Sequence, residues 1–363
     1  MQIYALRNQS PAMKGSAPSP TIRHPALSLL LLLGLLLGAF CVATFAIVVY
    51  GKITLGTLNF QAILANPEGN RNGWTFMMGV QALSLLIGFG GAALAFASVS
   101  GYRWTDYFAP RRSVPGWALL AAAVLIIVLL PLMSVLVEWN AKAHFPAFLH
   151  DFEVWARASE DKNSGVIKFL TKFTTPARFL AGLFVVAVTP AIAEELFFRG
   201  VVQRNLVQWF SPHAGIWLAA AVFSAIHMQF FGFFPRFLLG LVLGYLYQWS
   251  GNILVSMTAH FTQNAFQLVL LYLQQRHVIT LDLDSDKSTA SWPLALLSAA
   301  LSLGLLYYLH QRLRPAIPTE MHTLSSGGVA IATAETPVPE GHILSAQGVL
   351  PASEQAPLEN RLL

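Results

Sequence analysis

The sequence predicts an all-α membrane protein: a polytopic bundle of about eight transmembrane helices, with both termini on the cytoplasmic side. Three observations predict it. Of 363 residues, 55% are hydrophobic and only 11% are charged, whereas a soluble domain carries about 25% charged residues. The apolar residues come in long runs instead of being spread along the chain. The basic residues gather mainly between those runs, as they do in the loops of multispan proteins. This composition excludes an ordinary cytosolic enzyme, a disordered protein and a nucleic-acid binder held by basic patches. The single cysteine, Cys41, cannot form an intrachain disulfide, and no CxxC or CxxxH spacing offers a zinc site.

A span needs about 20 mostly apolar residues to cross about 30 Å of hydrocarbon. Eight runs qualify, at about 26–50, 74–98, 115–137, 179–198, 214–231, 234–250, 253–273 and 292–310. The first is too long for a signal-peptide core and reads as a retained anchor. The fifth and sixth are short and joined by Met228-Gln229-Phe230-Phe231-Gly232-Phe233, so one of them is expected to tilt or re-enter. With the N-terminus in the cytoplasm, the inside segments hold ten Lys and Arg and the short outside loops five. That bias sets the orientation. Residues 144–178 mix aromatics with charges and are suited to lying along the membrane surface. From about Pro315 to Leu363 the chain is rich in Pro, Ser, Thr, Ala and Glu, a composition expected to form a flexible tail.

Few ionisable residues fall inside the runs. Among the acids these are Glu194 and Glu195; among the histidines His227 and His260 lie well within, and His310 sits at the end of the last run. A charge at membrane depth costs on the order of 3 kcal/mol or more. One such residue is most often a satisfied helix–helix contact, but four on three neighbouring helices point to a shared polar cavity. Adjacent glutamates point about 100° apart on a helix, so Glu194 and Glu195 cannot do the same job. Glu195 and Arg199 are four apart, in the favourable order for pairing, which leaves Glu194 free to face a cavity. Pro190 removes a backbone hydrogen bond just before the acids. Phe223 and His227 share one helical face, and so do His260 and Asn264. Counted from the span ends, Glu194 and His260 fall toward the cytoplasmic side and His227 nearer the outside.

These residues resemble the CPBP intramembrane proteases, the CAAX protease and bacteriocin-processing family, which includes the glutamate-type CAAX prenyl protease 2. The family pattern is EExxxR, FxxxH and HxxxN or HxxxD on successive helices. Here it stands as Glu194-Glu195…Arg199, Phe223…His227 and His260…Asn264. Gly240-Leu-Val-Leu-Gly244-Tyr245 and Ser250-Gly251-Asn252-Ile253 also look like that family, and the resemblance covers about 180–275. The runs and the composition give a division into a cytoplasmic segment 1–24, N-terminal transmembrane helices with an amphipathic loop 25–178, a loop and last transmembrane helix 276–311, and a tail 312–363, and the resemblance implies that 179–275 is a catalytic helical core.

What the resemblance implies is an intramembrane endopeptidase cutting a membrane-embedded, lipidated or CAAX-like peptide or protein. Glu194 would activate water and then protonate the leaving amine, and His227 would hold and polarise that water. His260 and Asn264 would donate hydrogen bonds to the oxyanion. Glu195 and Arg199 would form a buried pair, and Phe223 would pack. No cofactor is required on this reading. Zinc held by two histidines and a glutamate is the alternative, although the HExxH arrangement is absent. The implied location is a cell membrane, crossed many times, of the bacterial inner-membrane kind. Two further functions remain open: a catalytically silent scaffold or bacteriocin-immunity-type protein of the same family, and an ion-coupled transporter, for which intramembrane acids are natural. No transporter-type internal repeat stands out.

Overall fold

The computed structural model describes residues 24–57, 60, 63, 66–110, 112–279 and 289–313. The expected N-terminal segment and the expected tail fall almost wholly outside the described residues. Among the described residues there is no strand, and helices fill most of the chain. The longer ones are α1 (Pro25–Leu55), α2 (Gly73–Val99), α3 (Gly116–Ala141), α4 (His150–Leu170), α5 (Pro176–Trp209), α6 (Pro212–Ala225), α7 (Phe233–Ser250), α8 (Ile253–Gln275) and α9 (Trp292–Leu313).

The protein is a multi-pass membrane helical bundle. Six helices are long and apolar enough to cross a bilayer: α1, α2, α3, α5, α7 with its preceding turn, and α9. The remaining two expected spans are helical but differ in kind. At 14 residues, α6 is about 21 Å long, short of the roughly 30 Å of hydrocarbon. The 23 residues of α8 are long enough, but Ser256, Thr258, His260, Thr262, Gln263, Asn264 and Gln267 interrupt its apolar run. Apolar side chains cover the outside of the bundle: Leu27, Leu30, Leu37 and Phe45 of α1 and Leu296, Leu301 and Leu303 of α9 are exposed, as lipid contact requires.

Two apolar clusters fix the arrangement. In one, α3, α7, α8 and α9 meet through Leu125, Ile126, Leu243, Leu246, Val255 and Leu309. In the other, α5 meets α1, α2 and α6 through Phe197, Phe198, Val201, Leu32, Phe96 and Phe223. Helix α5 also packs against α8, through Ala187 on Ala265 and Leu268. Its winding widens into π-helical turns at Leu183–Val188 and Phe198–Gln203, leaving Thr189–Phe197 as the α-helical piece that carries both glutamates. Pro190 opens that piece, since a proline has no N–H for the bond back to residue 186. π turns of this kind are often found at functional sites.

The link between α7 and α8 is tight. Gly251 ends α7 at φ 61°, a left-handed conformation that glycine adopts without strain. Asn252 then caps α8, its Oδ1 accepting from Leu254 N at 2.9 Å, while its Nδ2 donates to Arg112 O at 3.0 Å. Both bonds anchor the start of the helix that carries His260 and Asn264.

The amphipathic stretch is a helix in the structure, α4. Its partly buried Glu153 accepts from Phe145 N at 2.8 Å and from Arg157 Nε at 2.9 Å. Arg157 in turn donates to the carbonyls of Ala141 and Ala143. These bonds tie α4 to the end of α3.

Candidate active site

The centre of the site is assembled from α5 and α8. Glu195 and Arg199 lie one turn apart on α5, and Arg199 Nη1 donates to Glu195 Oε1 at 2.8 Å, the pairing that the spacing predicts. Both are almost fully buried, with Arg199 only 2% exposed. Arg199 is therefore no loop charge, and it drops out of the orientation count. Its Nη2 donates to Gly240 O of α7 at 3.2 Å, and its guanidinium lies 4.8 Å from the centre of the Phe223 ring. One turn on, Gln203 Nε2 donates to Gly244 O at 3.0 Å. The close approach depends on glycine: a Cβ on Gly240 would meet Ala220 at 3.1 Å, and one on Gly244 would meet Gln203 and Ile216 at 2.9 Å.

His260 joins the two glutamates. Its Nδ1 lies 2.9 Å from Glu195 Oε1, and its Nε2 lies 3.9 Å from Glu194 Oε2. A carboxylate can only accept, so Nδ1 carries the proton toward Glu195. The longer distance exceeds a hydrogen bond, but two atoms that far apart can both bond one small group between them. Glu194 is buried, with 7% exposure, and packs in the α5 segment whose Ala193 faces Gly90 of α2 at 3.7 Å from an added Cβ.

His227 sits just past the end of α6, half-buried, with Nδ1 2.8 Å from Phe223 O. The carbonyl accepts, so Nδ1 bears the proton and Nε2 is left as the free acceptor of the neutral ring. The Phe223 ring stands between the two histidines, its centre 5.2 Å from that of His227 and 6.0 Å from that of His260. Helix α6 ends before His227 and is too short to cross the hydrocarbon by itself, and His227 and His260 both contact the Phe223 ring. Asn264 follows His260 by one turn and is half-buried; among the described residues its side chain has no hydrogen-bond partner.

The structure thus brings Glu194, Glu195, Arg199, Phe223, His227 and His260 together, with Asn264 one turn beyond. Among the described residues, no group of three or more His, Cys, Asp or Glu is arranged to hold a metal ion. Sequence reasoning missed the bond from His260 to Glu195 and the backbone acceptors Gly240 and Gly244. Spacing within one helix reveals i,i+4 partners, and no such signal exists for partners on different helices.

Fold and site together define a multi-pass membrane protein that keeps a buried glutamate, histidine and arginine cluster among its central helices. Residues 176–266 match the family described as type II CAAX prenyl endopeptidase Rce1-like. The match spans every residue of the cluster. The chain is also 30% identical over 148 residues to the uncharacterized protein YpbD of Bacillus subtilis, an alignment that takes in 39% of this chain and 62% of that relative. The chain thus spans less than two thirds of the length of the curated relative that it matches. No solved structure matches it.

Proposed function

We propose that the protein is an intramembrane endopeptidase that hydrolyses a peptide bond of a membrane-associated, lipidated or CAAX-like substrate with a glutamate-activated water. The observation that carries this reading is the placement of His260 Nε2 3.9 Å from Glu194 Oε2, with His260 held by Glu195 on its other nitrogen. A water between Glu194 and His260 Nε2 can bond both, and Glu194 takes its proton as the water attacks the carbonyl carbon. The same carboxyl then returns that proton to the leaving amine. His227, with Nε2 free as an acceptor, helps to orient the water.

The tetrahedral intermediate needs donors for its oxyanion. The carboxamide of Asn264 supplies an N–H, and one such donor is worth about 3 kcal/mol. His260 also donates there when its ring carries both protons. Glu195 and Arg199 do not touch substrate; they hold the His260 ring and the α5–α7 contact. No metal takes part on this reading.

The test is a membrane proteome comparison between cells carrying the wild-type protein and cells carrying Glu194→Ala at equal abundance. Fragments of membrane proteins that require the glutamate are the expected result. Identical fragment sets, with both proteins folded and present, would leave the scaffold reading in its place.

A further inference from the structure

The turn that carries His227 is clamped from outside the Rce1-like segment. It runs from Ile226 to the first residues of α7, and Met228 within it adopts φ 52°, a left-handed conformation costly for a side chain that has a Cβ. Left alone, such a turn relaxes. Two side chains from other helices hold it by taking N–H groups, one in the short turn Phe230–Gly232 just before α7 and one in the first turn of α7, where helix N–H groups have no partner within the helix. Glu160 of α4 accepts from Phe231 N at 2.7 Å, and Asn140 at the end of α3 accepts from Phe234 N at 2.9 Å. Ser224 Oγ closes the turn internally by donating to Phe233 O at 2.7 Å. Arg157 of α4 lies 3.9 Å over the Phe231 ring, and Phe152 packs on Phe230 with ring centres 4.9 Å apart.

Helix α4 does not need Glu160 to stay in place, because Glu153 and Arg157 already bind it to the 141–145 backbone. Glu160 is thus free to act on the turn. We propose that Glu160, with Asn140 beside it, is a positioning residue for the reaction: it holds the 226–234 turn in the geometry that sets His227 opposite His260 across Phe223. This inference rests on the reading of His227 as part of the catalytic site.

The experiment compares full-length wild type, Glu160→Ala, Glu160→Gln and Glu194→Gln in liposomes, by amide hydrogen exchange and by turnover of a quenched-fluorescence prenylated CAAX peptide. Glu160→Ala should speed exchange across 226–234 about tenfold, since a local opening replaces a held turn. It should also lower kcat by up to about 10²-fold with KM unchanged, because a catalytic group misplaced by about 1 Å can lose that much rate. Glu160→Gln keeps an acceptor oxygen and should restore both. Unchanged exchange in Glu160→Ala, or faster exchange with unchanged kcat, would overturn the inference. Full turnover in Glu194→Gln, or none in wild type, would instead overturn the proposed function, and the exchange result would still decide the clamp.

Discussion

The Nδ1 atom of His260 lies 2.9 Å from Oε1 of Glu195. The same oxygen takes Nη1 of Arg199 at 2.8 Å, so the second glutamate serves two cations or donors at once and has no surface of its own. That relationship separates the roles of the paired acids and generates the first prediction.

Glu195→Gln keeps the shape of the side chain but leaves the Arg199 guanidinium buried without its counter-charge, a loss of roughly 3–5 kcal/mol for pairs of this kind. The variant should melt well below wild type in detergent. A melting temperature equal to wild type would show that the Arg199 bond to Gly240 is sufficient by itself.

Asn264 has no partner of its own among the described residues, so its removal should cost little stability. If its carboxamide meets the oxyanion, Asn264→Ala should lower kcat by about 10²–10³ with little change in KM. Asn264→Asp should keep part of the activity when the acid is protonated and can still donate. Measuring kcat and melting temperature on one preparation decides the matter: an early-melting variant with a normal rate would remove Asn264 from the site.

The absence of a metal from the mechanism has its own test. Activity should survive exhaustive chelation, and elemental analysis of active protein should give much less than one metal per chain. Stoichiometric zinc whose removal and return switch activity off and on would establish the alternative.

Glu153 predicts a pH dependence for the attachment of α4. The Phe145 N–H, then the Arg157 guanidinium and His144, hold its carboxyl well below the usual value of 4.5, at about 2. A carboxyl lowered in the folded state stabilises it above the unfolded value, and that contribution is lost as protons bind. Protection of the amides across 141–157, measured relative to their intrinsic exchange rates at each pH, should therefore be high above about pH 4.5 and fall as the pH falls toward 2. Glu153→Gln should lose most of this pH dependence; if it retains the wild-type profile, another group controls the attachment.

The membrane bundle was legible in the sequence because hydrocarbon thickness sets a length that apolar runs must meet, and six of the eight runs form helices long and apolar enough to cross. The Glu195–Arg199 pair was legible for a similar reason, since an i,i+4 spacing is a local rule. The extent of the fifth run was overestimated: Phe223-Ser-Ala-Ile-His227 reads as one helical stretch within 214–231, but α6 stops at Ala225 and the histidine lies in the turn beyond. Nothing in a lone acid such as Glu160, within an amphipathic stretch, announces that it will cap a turn seventy-one positions away. Contacts of that range come from how the helices pack.

On the proposed function, Glu194 activates the water. That role is tested most directly by turnover of purified Glu194→Gln in liposomes, measured beside wild type on the same prenylated peptide with folding checked by melting temperature. The expected result is a folded protein at normal yield with cleavage abolished, because Gln is nearly isosteric but cannot take the proton. A folded Glu194→Gln protein that cleaves at a near-normal rate would contradict it.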